Sequence, residues 1–326
     1  MPTINPTIGQ ARPVSPLLSA IAAKLANNPE RYKALQILPP LDGVTAQMKV
    51  EGVISTSMTF GDASTPTERA PHQPIEQVPG DAHSTVPYLA VEHALGTFVD
   101  RQEMTDALID IEESRVASVV HTLALRREQR LFNKLMTSGN WPSSFAAATT
   151  WDNSAANPFA NVRAAKTRVK RFGFAPNTVV LSQAALDALA SNLGVLSYRS
   201  TNEDRNYVAD DDILGAIEAA VGGGAKAYVM DAAANIAQAG LAVDPQYLGG
   251  TDRFCWVGYI NRDEQSYTLG NARVSTIATA MLRLEVQSML ADVEDVKRPV
   301  PGRAIDVYHY EADPIVNNQL GCLITC

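Results

Sequence analysis

The fold is decided by residues 105–136, TDALIDIEESRVASVVHTLALRREQRLFNKLM. Leu108, Ile111, Val116, Val119, Val120, Leu123, Phe132 and Leu135 recur near helical spacing, with Asp106, Asp110, Glu112, Arg115 and Arg126 between them. One face is therefore apolar and the other charged. No Gly or Pro interrupts the run. Thr105 is placed to cap the first turn, Asp106 and Asp110 suit its positive end, and Arg127, Arg130 and Lys134 suit the other end before Gly139 and Pro142 close it. The pattern predicts a rod of roughly 32 residues, ~48 Å long, against a mean near 11 to 12 residues for globular helices. Such a helix cannot bury its stripe alone and needs a flat layer against it. Its charged girdle, Arg126, Arg127, Glu128 and Arg130, reads either as a solvated helix face or as an intersubunit ion-pair strip.

Upstream, residues 48–60 alternate cleanly: Val50, Ile54, Met58 and Phe60 fall on one face, Lys49, Glu51, Ser55, Ser57 and Thr59 on the other. This predicts a half-buried strand. Gly61, Asp62, Pro66, Pro71, His72, Pro74, Pro79 and Gly80 follow before Val86 and Tyr88 begin a return strand. A connection of about 25 residues is long for a compact domain, where loops above ~12 to 15 residues are functional or disordered. Two strands around it predict a long projection, a liability for a monomer but useful for lying across a neighbour. Residues 1–14 carry Pro2, Pro6, Pro13 and Gly9, which favours an extended arm. Ser15 and Pro16 then start a short helix over 17–26, with Leu18, Ile21 and Leu25 on one side.

Downstream, Asn157 and Pro158 open a helix to 171, with Phe159, Val162, Ala165 and Val169 inward and Gly173 as its stop. A short strand is expected at 178–181, and Ser182 caps a helix over 183–190. Residues 193–212 are polar and loop-like. Asp210, Asp211 and Asp212 precede a helix at 213–221, where carboxylates suit the helix dipole better than they suit a metal. Further strands are expected at 227–230, 254–260, 305–310 and 322–324. Trp141 and Trp151 read as core or interface anchors. There is no alternating βαβ series and no fixed-period repeat.

The 326 residues are 46% hydrophobic and 19% charged, ordinary for a globular chain. A net charge of -8 and a pI near 5.2 argue against a surface built to neutralise nucleic-acid phosphates, so any relation to DNA is containment rather than binding. Cys255, Cys322 and Cys326 have no metal-ligand spacing in a chain too large to need disulfides, which fits a reducing compartment. No apolar run reaches the ~20 residues of a bilayer span and no signal pattern is visible, so synthesis in the cytoplasm without membrane insertion is expected. No catalytic, cofactor or metal residue emerges. Gly222, Gly223, Gly224 and Lys226 lack phosphate-loop spacing, with Ala227 where the metal-binding hydroxyl belongs. His72, His83, His93, His121 and His309 stand apart and read as surface or packed residues, His121 making at best a local contact.

Three stretches carry a resemblance. Residues 32–44, YKALQILPPLDGV, resemble the passage leading into the extended loop of tailed-bacteriophage major capsid proteins. Residues 88–100, YLAVEHALGTFVD, resemble that family's approach to its spine helix, and 151–181, with Asn157-Pro158, Gly173 and the PNTVVLS run, its entry into the axial lobe. The resemblance covers nearly the whole chain and implies the α+β Hong Kong 97-type capsid fold. It implies an N-terminal arm (1–45), an extended β-hairpin loop (46–92), a peripheral domain with the spine helix (93–172), an axial domain (173–296) and return strands (297–326). The implied function is self-assembly into pentamers and hexamers of an icosahedral shell, in the virion, around double-stranded DNA enclosed without specific binding. A cement or decoration protein, a portal and a scaffold are further partners of that reading. Intersubunit contacts are expected at Phe60, Arg69 and Ile75 on the projection and at Arg126 and Arg130 on the spine. Some relatives weld subunits through a lysine in the extended loop; no lysine lies between Val50 and Phe132 here, so the expected shell is non-covalent. The alternatives are an encapsulin-like nanocompartment shell, with helix 17–26 docking cargo, and a soluble α+β enzyme with an unrecognised site.

Overall fold

The long helix begins later than its sequence pattern does. In the computed structural model of the chain, the helices among the described residues are α1 (Pro16–Ala26), α2 (Lys33–Ile37), α3 (Arg101–Asp106), α4 (Ile111–Met136), α5 (Pro158–Lys170), α6 (Gln183–Ser191) and α7 (Asp210–Val221). The structure describes residues 15–26, 32–42, 47–53, 83–106, 110–192, 195, 209–235, 242, 244–261, 279–281, 283–296 and 301–326. The expected arm at 1–14, most of the loop at 193–208 and the outer part of the projection, with Phe60, Arg69 and Ile75, lie outside those residues.

Asp110, not Thr105, caps α4: its carboxylate accepts the Glu113 N–H at 3.2 Å, and Glu112 and Glu113 follow in the first turn. Thr105 sits inside α3, its hydroxyl donating to the Arg101 carbonyl at 2.9 Å. The rod is thus 26 residues, ~39 Å rather than ~48 Å. Its buried stripe includes Val116, Val120, Leu123, Leu131, Phe132 and Leu135, and also Arg127 and Glu128.

The layer against it is a four-stranded sheet. Strands β1 (Leu41–Asp42), β11 (Leu284–Val296), β12 (Gly302–Ala312) and β4 (Val91–Asp100) lie in the order β1-β11-β12-β4. β12 is central and antiparallel to both β11 and β4. Val99, Met289, Ala291, Ile305 and Val307 of the sheet meet Leu18 and Ala22 of α1 and Val116, Val120 and Leu123 of α4 in one core. Each large apolar side chain buried there contributes about 1.5–3 kcal/mol. β11, which the sequence reading left unrecognised at the end of an axial segment 173–296, pairs with β12 from Leu284↔Ala312 to Val296↔Gly302. Glu285, Asp292, Glu294 and Asp295 break its apolar alternation, and register shifts between Glu285 and Leu290 break its period.

From this sheet a separate two-stranded ribbon departs, β2 (Gln47–Val53) against β3 (His83–Leu89), in register from Gln47↔Leu89 to Val53↔His83. The expected projection thus starts as an antiparallel pair.

A second sheet, in the order β5-β13-β10-β6-β7, is formed by β5 (Phe145–Ala146), β13 (Gly321–Thr325), β10 (Phe254–Gly258), β6 (Thr178–Ser182) and β7 (Lys226–Met230). Every residue of β6 and β10 is buried, as continuous apolar strands covered on both faces must be. Val162, Ala165, Val169, Leu186, Leu189, Ile213 and Ile217 of α5, α6 and α7 cover one face. Phe132, Leu135, Trp141, Phe254 and Trp256 fill the other. Trp141 and Trp151 are fully buried, so both serve the core. The Trp141 and Trp256 rings lie 5.3 Å apart over Gly321, where an added Cβ would stand 2.4 Å from Trp141.

Local capping follows the sequence. Asn157 accepts the Ala160 N–H at 3.0 Å and Ser182 the Ala185 N–H at 3.2 Å. Asp210, Asp211 and Asp212 form the first turn of α7 instead of preceding it, where the same dipole argument places them. A small hairpin, β8 (Ala233–Asn235) with β9 (Pro245–Tyr247), completes the described strands.

Candidate assembly surface

The two edges of the four-stranded sheet are treated differently. Along β11, α1 lies over the edge: Ser19 Oγ receives the Ala291 N–H at 3.0 Å and donates to the Ala291 carbonyl at 3.4 Å, and the Ser15 N–H reaches the same carbonyl at 3.0 Å. Exposed edges are commonly blunted by a covering helix of this kind. Among the described residues β4 has no such cover. All ten of its residues lie along β12 on one side, and no described strand pairs with the other. Leu95 is 38% and Phe98 42% exposed, and Val91 and Leu89 at the ribbon root are more so. Successive strand residues face opposite ways, so Leu95 and Phe98 stand on opposite faces. The opening is therefore the edge itself, with apolar side chains on both flanks. β4 carries no Lys and no Pro, the residues that deter pairing with another chain. The adjoining β2–β3 ribbon is likewise a two-stranded unit, which is marginal in water by itself.

Where this edge meets the ribbon root, a buried ion cluster fastens α4 to the sheet. Glu311 Oε2 receives the Arg127 Nε–H at 3.1 Å and the Arg283 Nε–H at 3.3 Å, and Arg130 pairs with Oε1. Arg283 also stands 3.5 Å from Glu285, and Lys134 donates to the Asp313 carbonyl at 2.6 Å. Three guanidinium groups thus share two carboxylates, with the Arg127, Arg283 and Glu311 side chains 1–3% exposed. Burial lowers the Arg127 pKa, and burial followed by the Arg127 charge lowers that of Arg283 to about 9. Glu128, also buried, accepts the Ala34 N–H at 3.3 Å and so caps α2 onto the long helix; burial raises its pKa.

His309 is fully buried in the same cluster, 5.3 Å from the His93 ring. Burial, then Arg127, His93, Arg130 and Arg283, push its pKa from 6.5 down to about 2. The His93 pKa is lowered in the same direction, first by burial. An unfolded chain therefore takes up a proton near pH 6.5 that the folded one refuses until about pH 2, so the folded state loses stability as pH falls below 6.5. The urea midpoint of the dissociated subunit should drop between about pH 7.5 and about pH 5, and His309→Gln should flatten that slope. An equal slope in both proteins would show that the acid sensitivity lies elsewhere.

The sequence-based girdle divides. Arg126 is exposed on α4, reaching only Gln129 of its own helix at 3.1 Å. Arg130 is partly engaged by its own chain's Glu311. Arg127 and Glu128 are buried, so neither belongs to a solvated face. His121 makes a long-range contact rather than a local one, 3.0 Å from the Tyr32 hydroxyl. Leu95 and Phe98, beside the β4 edge, are not among the residues the sequence singles out; the absence of Lys and Pro from β4 is compatible with an edge strand but does not mark one. Among the described residues no group of His, Cys, Asp and Glu side chains is disposed to hold a metal ion, and no helix is long and apolar enough to cross a membrane.

No protein-family model matches the chain, and no curated protein matches it. Solved structures do. A phage-related protein from Bordetella bronchiseptica RB50 superposes with a TM-score of 0.69 at 17% identity, over 97% of this chain and 98% of that one. A virus-like particle from Pyrococcus furiosus gives 0.57 at 9% identity, over 94% and 97%. The mature capsid of bacteriophage PhiM1 gives 0.52 at 12% identity, over 88% and 83%.

Proposed function

We propose that this chain, which has the Hong Kong 97-type capsid fold, is a major capsid protein whose copies close a shell around double-stranded DNA. The observation that carries the reading is the uncovered β4 edge with Leu95 and Phe98 beside it, in a chain whose opposite edge is covered by α1. A strand edge left open next to a two-stranded ribbon gains by pairing with another copy, and identical copies joined through unlike surfaces close into rings. Pentamers and hexamers then tile the shell, the subunit being located in the virion after synthesis in a host cytoplasm. Contacts are assigned to Phe60, Arg69 and Ile75 on the projection and to the exposed Arg126; Arg130 contributes what its pairing with Glu311 leaves free. The role is structural, with no catalytic step.

The nanocompartment reading is disfavoured by α1. Its Leu18 and Ala22 are buried against the sheet of its own chain, so that face is not free to seat cargo.

Deleting residues 62–80 tests the proposal, which assigns the projection to contacts between copies and not to the subunit's own core. The variant should remain a soluble folded subunit that forms no closed particles by electron microscopy; normal particles would count heavily against the reading. With no lysine between Val50 and Phe132, boiled particles should run on a denaturing gel as a single 35.0 kDa band. A ladder of multiples would show covalent welding.

A further inference from the structure

The acidic total of the chain conceals one basic strip. Between Asp152 and Asp187 there is no Asp or Glu, while α5 and the residue after it hold Arg163, Lys166, Arg168, Lys170 and Arg171. Arg168 and Lys170 fall in the last turn, where they suit the negative helix end. The Lys166 ammonium sits by Gly222 at the C-terminal end of α7, whereas Arg163 lies too far from either helix end to be explained so. Arg163, Lys170 and Arg171 are exposed and Lys166 half-buried, and among the described residues none of the four has an acidic partner. The carboxylates of neighbouring segments are already engaged: Asp152 with Arg253 at 2.8 Å, Glu218 with the Ala227 N–H at 2.8 Å, Asp187 with Gln183 at 2.9 Å.

Beside the strip lies a cavity of about 530 Å³ lined by Ser143, Ala164, Thr167, Arg168, Arg171 and Phe172. Arg168 is fixed in its wall, donating to the Ser143 carbonyl at 2.8 Å and lying 4.1 Å over the Phe145 ring. The Thr167 hydroxyl is committed to its own helix, donating to the Arg163 carbonyl at 2.9 Å, so the Ser143 side chain is the hydroxyl the cavity wall adds beside the cations.

We infer that this strip is a non-specific docking surface for the phosphate backbone of duplex DNA, an inference that rests on the shell reading above. From Arg163 to Arg171 the strip spans about 12 Å of helix axis, the axial rise of three to four phosphates on one strand. Cations set along one helix suit a run of phosphates, and nothing among them reads bases. The acidic remainder of the chain keeps the attraction local, so that enclosed DNA is held without being glued to the whole surface.

The test is fluorescence anisotropy of a labelled duplex of about 30 base pairs, long enough to span the strip several times over, titrated with the full-length chain across salt concentrations. Wild-type protein should bind at low salt. The triple variant Arg163→Ser, Lys170→Ser, Arg171→Ser should lower the slope of log affinity against log salt by about 2.7, equivalent to a salt effect smaller by about 40-fold between about 50 and 200 mM. Thr167→Glu, which places one acid mid-strip, should weaken binding on a single exposed change. A charge-matched control on exposed cations elsewhere, Lys24→Ser, Arg101→Ser, Arg115→Ser, should leave the slope near wild type. No binding by the wild-type chain, or an equal loss in the control, overturns the inference. So does a strip variant that binds DNA normally but no longer assembles, since the strip would then contact another protein surface. Failure of wild-type chain to assemble at all would instead sink the shell reading, whatever its DNA binding.

Discussion

Glu311→Gln should cost the subunit about 3–5 kcal/mol, enough to unfold it under mild conditions. The amide has the same shape, so packing is preserved and only the charge is lost. Arg127 and Arg283, both buried, would then keep Glu285, 3.5 Å from Arg283, and the weaker fields of Asp313 and, at Arg127, Glu128, with Arg130 adding a third positive charge. Removing one partner of a buried pair strands the other, and that cost exceeds what the pair contributed when intact. Urea denaturation of the dissociated subunit measures the effect. Glu285→Gln, at the rim of the cluster, should cost far less. Equal midpoints for wild type and Glu311→Gln would mean that the cluster is hydrated and does not fasten α4 to the sheet.

The second large effect is on assembly with the fold retained. Leu95→Glu together with Phe98→Glu should abolish particles while lowering the stability of the free subunit by only about 1–3 kcal/mol, because both side chains are partly buried and the Phe98 ring packs over Gly302. Both side chains sit beside the uncovered edge of β4 and are about two-fifths exposed. At the centre of an interface such residues typically cost 2 kcal/mol or more each when lost, and a buried carboxylate adds its own desolvation. The loss recurs at every equivalent contact of a shell. Val99→Glu on the same strand is the contrasting variant: fully buried against α4, it should unfold the subunit. Particles of normal size from the Leu95/Phe98 variant would place the contact elsewhere.

What the sequence made legible was local. Asn157, Ser182 and the apolar stripe of the long helix act over three or four residues, so caps and faces could be read directly. The start of α4 was misplaced because Thr105 and Asp110 both suit a cap in sequence, and only the structure shows Thr105 bonded within α3 and Asp110 capping α4. Arg127 looked solvated because its partner Glu311 lies 184 residues away, and nothing in the helix announces a carboxylate from β12. β11 was hidden by its own acids, which a strand tolerates when one face meets solvent. For the proposed assembly surface, the contacts expected at Arg126 and Arg130 rest on charge alone. Leu95 and Phe98 were not legible, because an apolar strand at a sheet edge and one at its centre have the same sequence; only the pairing order separates them.

The account rests on the chain being incomplete as a single copy. The most direct measurement is the mass of the purified wild-type protein by sedimentation velocity, with electron microscopy of the fastest species. Rings of five and six copies and closed particles in the megadalton range are the predicted result. A folded 35.0 kDa monomer that stays monomeric at every concentration, with β4 amides already protected from hydrogen exchange in that monomer, would contradict it.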